Sequence, residues 1–231
     1  MNRKDLIFIL IAITIFLPFI LINSFYQAYA SFNHDYPMIM SMIKFAILAT
    51  LGEALGSRIK SGEYTPSGFG LFPRAFVWAI LGFSIKLAFV IFTAGTIDFL
   101  SFMGMDNVKE VYAGGFTAGK LFIAFCISFF MNTIFGPVMM TTHKVTDTHI
   151  LLTGGTMSGL FSRIKVSEIL KNINWDVQWN FVFKKSIPLF WYPAHTITFL
   201  LPQEYQVLFA AFLSIALGLI LAIASVKGRN K

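Results

Sequence analysis

The chain has 231 residues and a formal net charge of +7, with 56% hydrophobic and 13% charged residues. Its mean hydropathy is +0.72, whereas about 25% of the residues of a soluble domain are charged. This composition excludes an ordinary water-soluble domain and indicates an integral membrane protein whose main partner is the lipid bilayer. The basic residues are not interleaved with exposed aromatic residues, so we expect no nucleic-acid partner.

Long apolar runs recur along the chain, and a helix needs ~20 such residues to cross a hydrocarbon core of ~30 Å. The clearest runs cover residues 6–22, 38–55, 75–97, 121–140 and 207–226, and a shorter run with proline covers residues 186–201. We therefore predict an all-α, polytopic membrane helical bundle with about six membrane helices. No hydrophilic stretch is long enough for a separate domain, so residues 1–231 are expected to form a single transmembrane domain.

The N-terminal run has two interpretations. Arg3 and Lys4 precede it, and Ala28 and Ala30 before Ser31 resemble a signal-peptide cleavage site. The apolar part of a signal peptide is ~7–15 residues long, and this run is longer. We favour a retained membrane helix over residues 5–25, with cleavage as the alternative.

The distribution of basic residues predicts the topology, because Lys and Arg collect on the cytoplasmic side of a membrane. The N-terminal tail, the loop 58–74, the loop 141–185 and the C-terminal tail are basic, whereas the predicted loop 24–37 contains no Lys or Arg. A single helix over residues 186–226 would be ~60 Å long, so we expect a break at Pro202. Six spans then place both termini in the cytoplasm, with a re-entrant segment at 186–201 as the alternative.

The basic loop 141–185 contains a short stretch with helical spacing. Glu168 and Lys171 lie within residues 166–173, and Trp175 and Trp179 follow at i, i+4. Tryptophan is typical of the membrane interface, so we predict an amphipathic helix lying on the cytoplasmic face. No Arg-rich, acid-poor presequence is present, which favours a bacterial plasma membrane over an organellar membrane.

Ionisable and amide side chains within spans are costly, and each is a candidate functional residue. Counted from the cytoplasmic ends of their helices at ~1.5 Å per residue, three of them reach a depth of ~15–18 Å. These three are Lys86, Asn132 and His195, and we expect them to meet in a polar patch that lines a pathway or joins helices. Two further candidates are Lys44, which could instead extend outward, and the shallower Glu53, whose expected partner is Arg58 or a loop lysine.

The C-terminal third carries a recognisable spacing of residues. Trp191, His195, Thr198 and Phe199 are followed by Pro202. This resembles the W-P-x-x-Q-x-x-N-F signature, followed by V-P-x-x-Y-R, of the Mpv-type family of 22-kDa peroxisomal membrane proteins. His and Thr replace Gln and Asn of that signature.

Upstream positions match the same family in the same order. They are Gly52, Arg74, Gly82, Asp98, Phe135 and Pro137. The resemblance covers residues 38–226 and leaves the N-terminal helix as an addition, although the G-P-x-x-H-x-W-Y motif of the family is missing. It implies a small channel-like protein of the kind found in peroxisomal and other organellar membranes.

These observations lead to three hypotheses about function. The first is a channel or facilitator for small solutes, the second is a structural or partner-binding membrane protein without transport activity, and the third, ranked last, is an intramembrane enzyme that acts on lipid. We expect no enzyme activity, cofactor or metal, because no nucleotide-binding, metalloprotease or serine-hydrolase motif occurs. His143, Asp147 and His149 have a poor spacing for a metal site. Gly52 and Gly56 favour close packing within the chain, and homo-oligomer formation stays open.

Overall fold

A computed structural model describes residues 3–229, which are helical and contain no β-strand. The helices are α1 (Arg3–Leu21), α2 (Asn23–Asp35), α3 (Pro37–Ser61), α4 (Leu71–Phe102), α5 (Val108–Ala113), α6 (Ala118–Leu152), α7 (Met157–Leu160), α8 (Val166–Asn172), α9 (Trp175–Val177), the π-helix π1 (Gln178–Trp191), α10 (Tyr192–Leu200) and α11 (Gln203–Arg229). This architecture confirms the predicted all-α bundle.

Five helices in the described part are long and apolar enough to cross a membrane. They are α1, α3, α4, α6 and the first 18 residues of α11. The predicted span at residues 186–201 falls on the end of π1 and on α10, which follow each other without a break. The helix ends at Leu200 and α11 begins directly after Pro202, so the predicted break at this proline is confirmed. The physical reason is that proline lacks an amide hydrogen and disfavours a helical residue before it.

The chain divides into two compact units, residues 1–40 and residues 41–231. The first unit contains α1 and α2, which contact each other. Residues 24–37 were expected to form a loop, and this expectation was wrong, because Asn23–Asp35 form α2. The second unit starts close to the first residue of the family-like part, residue 38, and contains all the candidate site residues.

Within the second unit, α6 is the central element and contacts α4, α5, α7, α8, π1 and α10. It is 35 residues long, which corresponds to ~52 Å and exceeds the hydrocarbon thickness of ~30 Å. Residues 141–152 were expected to be part of a loop, which was wrong, because α6 continues through them. His143, Asp147 and His149 therefore lie on a helix, and His149 is 5% exposed.

Small residues allow α3 to approach two other helices closely. A Cβ atom on Gly82 of α4 would lie 2.7 Å from the backbone oxygen of Ser41 and 2.8 Å from Cβ of Phe45. The Ser41 hydroxyl donates a 2.6 Å hydrogen bond to the Gly82 carbonyl oxygen at the same place. At the contact between α3 and α11, a Cβ atom on Gly52 of α3 would lie 2.9 Å from Ile215. The prediction that Gly52 serves packing within the chain is therefore confirmed.

We expect Gly82→Ala to lower the thermal unfolding midpoint of the purified protein in detergent, because the added methyl group has no space. Gly95 of α4 is the matched control, since a Cβ there meets nothing within 4 Å. Gly95→Ala should leave the midpoint unchanged or raise it, because alanine in a helix is favoured by about 0.5–1 kcal/mol. Equal midpoints for the two variants would contradict the close contact between α3 and α4.

Candidate functional site

The densest polar cluster of the second unit joins α3, α4 and α6. The guanidinium of Arg74 forms ion pairs with Glu53 of α3 and with Asp147 of α6. The indole nitrogen of Trp78 donates a 2.9 Å hydrogen bond to Oε1 of Glu53. Nε2 of His143 lies 2.8 Å from the same oxygen and donates to it, because a carboxylate only accepts. We call these five residues the ionic cluster.

The ionic cluster is largely withdrawn from solvent. The side chain of Arg74 is 9% exposed, that of Asp147 15% and that of Glu53 18%. The guanidinium also lies 4.5 Å from the ring centroid of Phe69, and the Trp78 and His143 rings are 4.5 Å apart. The cleft beside Arg74, Trp78 and His143 leaves no room for a water molecule. The cluster therefore holds three helices together and offers no open binding site in this conformation.

Sequence reasoning identified Glu53 as a candidate but not its partners. The expected partner was Arg58 or a loop lysine, whereas the structure pairs Glu53 with Arg74. The role of His143 and Asp147 was missed, because both were assigned to a loop. Arg74 and Trp78 have i, i+4 spacing and share one face of α4. His143 and Asp147 have the same spacing, which would have placed them on one face of α6 if that helix had been predicted to continue to residue 152.

A second polar contact lies in the middle of the apolar helices and joins α6 to α10. Nδ1 of His195 lies 3.1 Å from Oδ1 of Asn132, so the two side chains predicted to meet are hydrogen-bonded. The amide nitrogen of Asn132 donates a 2.8 Å bond to the Ser128 carbonyl oxygen, and the Ser128 hydroxyl donates to the Tyr192 carbonyl oxygen at 2.8 Å. Both side chains are buried, Asn132 at 3% and His195 at 8% exposure.

Aromatic side chains surround the Asn132–His195 pair. The His195 ring lies 5.0 Å from the Trp191 ring and 5.8 Å from the Phe89 ring. Phe89 is also 5.0 Å from Phe199, which is fully buried. Among residues 3–220 the imidazole forms no second hydrogen bond, so the contact with Asn132 is a closed interhelical hydrogen bond.

The two lysines within the spans are both buried, each at 6% exposure. Lys86 of α4 and Lys44 of α3 lie close enough to repel each other electrostatically. Among residues 3–220, whose side chains the structure describes, Lys86 forms no hydrogen bond or ion pair. Lys86 therefore lies in the interior as predicted, one turn from Phe89 on α4, but it does not bond to Asn132 or His195.

At the other end of α10, Tyr112 of α5 donates a 3.0 Å hydrogen bond to the Phe199 carbonyl oxygen. Burial raises the pKa of Tyr112, and a hydrogen bond with Gln206 offsets part of this increase. The phenol therefore keeps its proton and remains a donor. This bond ties the short connection between α4 and α6 to the end of α10.

The positions that carry the family resemblance differ in their surroundings. Trp191 is partly buried, and Thr198 of α10 is fully buried, with its hydroxyl bonded to the Ala194 carbonyl oxygen at 3.0 Å. Gly82 and Gly52 lie at close helix contacts. The remaining positions are half-buried or exposed: Phe135, Pro137, Asp98 and Pro202.

No family model matches this chain, and no curated protein or solved structure is significantly similar to it. The fold and the site therefore have to be interpreted from the molecule itself. Several long apolar helices joined by buried polar contacts define an all-α, multi-pass membrane protein.

We expect Arg74→Gln to destabilise the folded protein by about 3–5 kcal/mol, because it removes the buried cation that Glu53 and Asp147 share. The double variant Glu53→Gln/Arg74→Gln should lose less than the sum of the single variants, since neither charge is then left alone. Thermal or denaturant unfolding of the purified protein measures both effects.

The matched control for Arg74 is Lys144→Gln. The Lys144 amine lies 3.5 Å from Asp147, but its side chain is 42% exposed, and exposed pairs contribute about 0–1 kcal/mol. If Arg74→Gln were no more destabilising than Lys144→Gln, the ionic cluster would not hold the three helices together.

Proposed function

We propose that this chain is a channel or facilitator for small solutes and that its pathway passes Lys86. The observation that carries the proposal is a buried lysine within a span that has no hydrogen bond or ion pair among the side chains described, those of residues 3–220. Of the other candidate side chains, Glu53, Asn132 and His195 have partners on neighbouring helices. Packing therefore accounts for them and does not account for Lys86.

The energetic argument is simple. A lysine at the centre of a membrane helix costs roughly 2.5–3.5 kcal/mol on insertion scales. An apolar side chain at the same position of α4 would avoid this cost and fill the same space. Such residues within membranes commonly mark the path of a solute or ion, which supports a transport role over a purely structural one.

The chemistry of Lys86 limits the solutes that it could assist. An ammonium group has three donors and no acceptor, so it favours anions and solutes with oxygen acceptors. The Asn132–His195 bond closes the interior nearby, and the proposal requires a second conformation in which α10 moves relative to α6. The wide turns of π1, which runs directly into α10, provide a place for such a movement, since π-helical turns are frequent at functional sites.

The resemblance to the Mpv-type family forms part of the proposal. The family-like positions Gly52 and Gly82 lie at close helix contacts. Arg74 binds Glu53, and Gly52-Glu53 resembles the G-D pair in the first helix of the family. Positions that a family shares because they pack helices together are expected to contact one another in this way. We assign no catalytic reaction or cofactor to the chain.

A liposome flux assay tests the transport proposal. Purified protein should release small anionic or neutral solutes from vesicles, and Lys86→Ala should reduce this flux severalfold while Lys86→Arg retains part of it. Lys109→Ala is the matched control, because Lys109 is an exposed lysine outside the spans, and its flux should equal that of the parent.

The outcomes of the flux assay separate two failures. No flux with the parent protein would contradict the transport proposal itself. An active parent with unchanged flux in Lys86→Ala would remove Lys86 from the pathway and leave transport standing.

A structural or partner-binding role without transport is the second candidate. It is favoured by the tight contacts of the ionic cluster, whose cleft is too small for a water molecule, and by the closed Asn132–His195 pair. An inactive parent protein in the flux assay would support this candidate.

We further propose a bacterial plasma membrane location with both termini in the cytoplasm, and the distribution of basic residues supports the orientation of the termini. Reporter fusions after Asn33 and after Lys231 should then report opposite sides of the membrane. Reporters on the same side would contradict this topology.

A further inference from the structure

Residues 161–185 follow α7 and include the start of π1. We call them the basic–aromatic segment. The segment contains five basic and two acidic residues, a net charge of +3. It also exposes large apolar side chains. The most exposed are Phe161 at 68%, Ile164 and Trp179 at 57%, Val166 at 56%, Val177 at 48% and Trp175 at 42%.

The basic–aromatic segment is an ordered structure and not a loose loop. In α8, Ile169 is 1% exposed and the following Ile173 is 5% exposed, and α8 contacts α6. The indole nitrogen of Trp175 donates a 2.9 Å hydrogen bond to the Leu170 carbonyl oxygen at the end of α8. The buried isoleucines therefore hold one side of the segment against α6 and leave Val166 on the outside.

Basic and exposed aromatic side chains occur side by side on the segment, so the expectation that they are not interleaved was wrong for this part of the chain. The Lys184 amine lies 5.8 Å from the Trp179 ring centroid and donates a 3.3 Å hydrogen bond to Asn180. Tryptophan and lysine together are typical of the membrane–water interface, where the ring enters the headgroup layer and the amine meets lipid phosphate.

We infer that the basic–aromatic segment docks on anionic lipid headgroups of the leaflet at this end of the bundle. The segment follows α6 and α7 along the chain, and its residues 178–185 form the start of π1, which runs into α10, so it is tethered beside the membrane. Its positive charge complements an anionic leaflet, and its exposed apolar side chains fit the boundary between headgroups and acyl chains. The inference does not depend on transport.

Hydrogen–deuterium exchange of the full-length protein in nanodiscs tests this inference. Nanodiscs of phosphatidylcholine alone are compared with nanodiscs that also contain phosphatidylglycerol. Exchange of residues 161–185 should be slower in the anionic nanodiscs, and high salt should remove the difference, because it screens the attraction. Each lysine near an anionic surface contributes a factor of roughly five, so Lys171→Gln/Lys185→Gln should reduce the difference by up to ~30-fold.

The control variant is Lys109→Gln/Lys120→Gln, which removes the same charge outside the basic–aromatic segment and should leave the lipid dependence intact. Exchange that is equally slow in both kinds of nanodisc would overturn the inference and indicate that the protein itself or a neutral surface covers the segment. Exchange that is equally fast in both, or an equal loss in the control variant, would also overturn it.

Discussion

Three helices of this protein meet at one guanidinium group. Arg74 comes from α4 and binds Glu53 of α3 and Asp147 of α6 at the same time. The planar fork of arginine suits this arrangement, because its several donors can bind two carboxylates in fixed directions. Trp78 and His143 complete the hydrogen bonds of Glu53. The rotation of α3, α4 and α6 about their axes is thereby fixed at one end of the bundle, and the packing further along these helices depends on it.

The interior of the spans contains two kinds of polar side chain. Asn132 and His195 satisfy each other across α6 and α10, which is how polar groups commonly join helices in lipid. Lys86 has no such partner in the described part of the chain, and its burial is a cost that packing does not offset. The Asn132–His195 pair is therefore explained by helix packing, whereas Lys86 is not. This contrast is the basis for proposing a transport role.

The sequence predicted the helical spans and several of the polar contacts, but with limits that have a physical origin. Asn132 and His195 were expected to meet because their depths agree, and depth follows from counting residues along a helix. Residues 141–152 were assigned to a loop because they are polar, yet their polar face is buried against Arg74 of another helix. Hydropathy reports whether a stretch suits lipid, and it does not report a helix that extends beyond the membrane and is stabilised by ion pairs.

The sequence by itself determined that the chain is helical and built for lipid, where its apolar stretches lie, and that a break follows Leu200. These properties are local, because they depend on the hydropathy of consecutive residues and on the missing amide hydrogen of Pro202. Only the tertiary structure decided which polar groups meet. The partners of Glu53 lie 21 and 90 positions away, at Arg74 and His143, and their contact depends on how separate helices are rotated and packed, which no local pattern encodes.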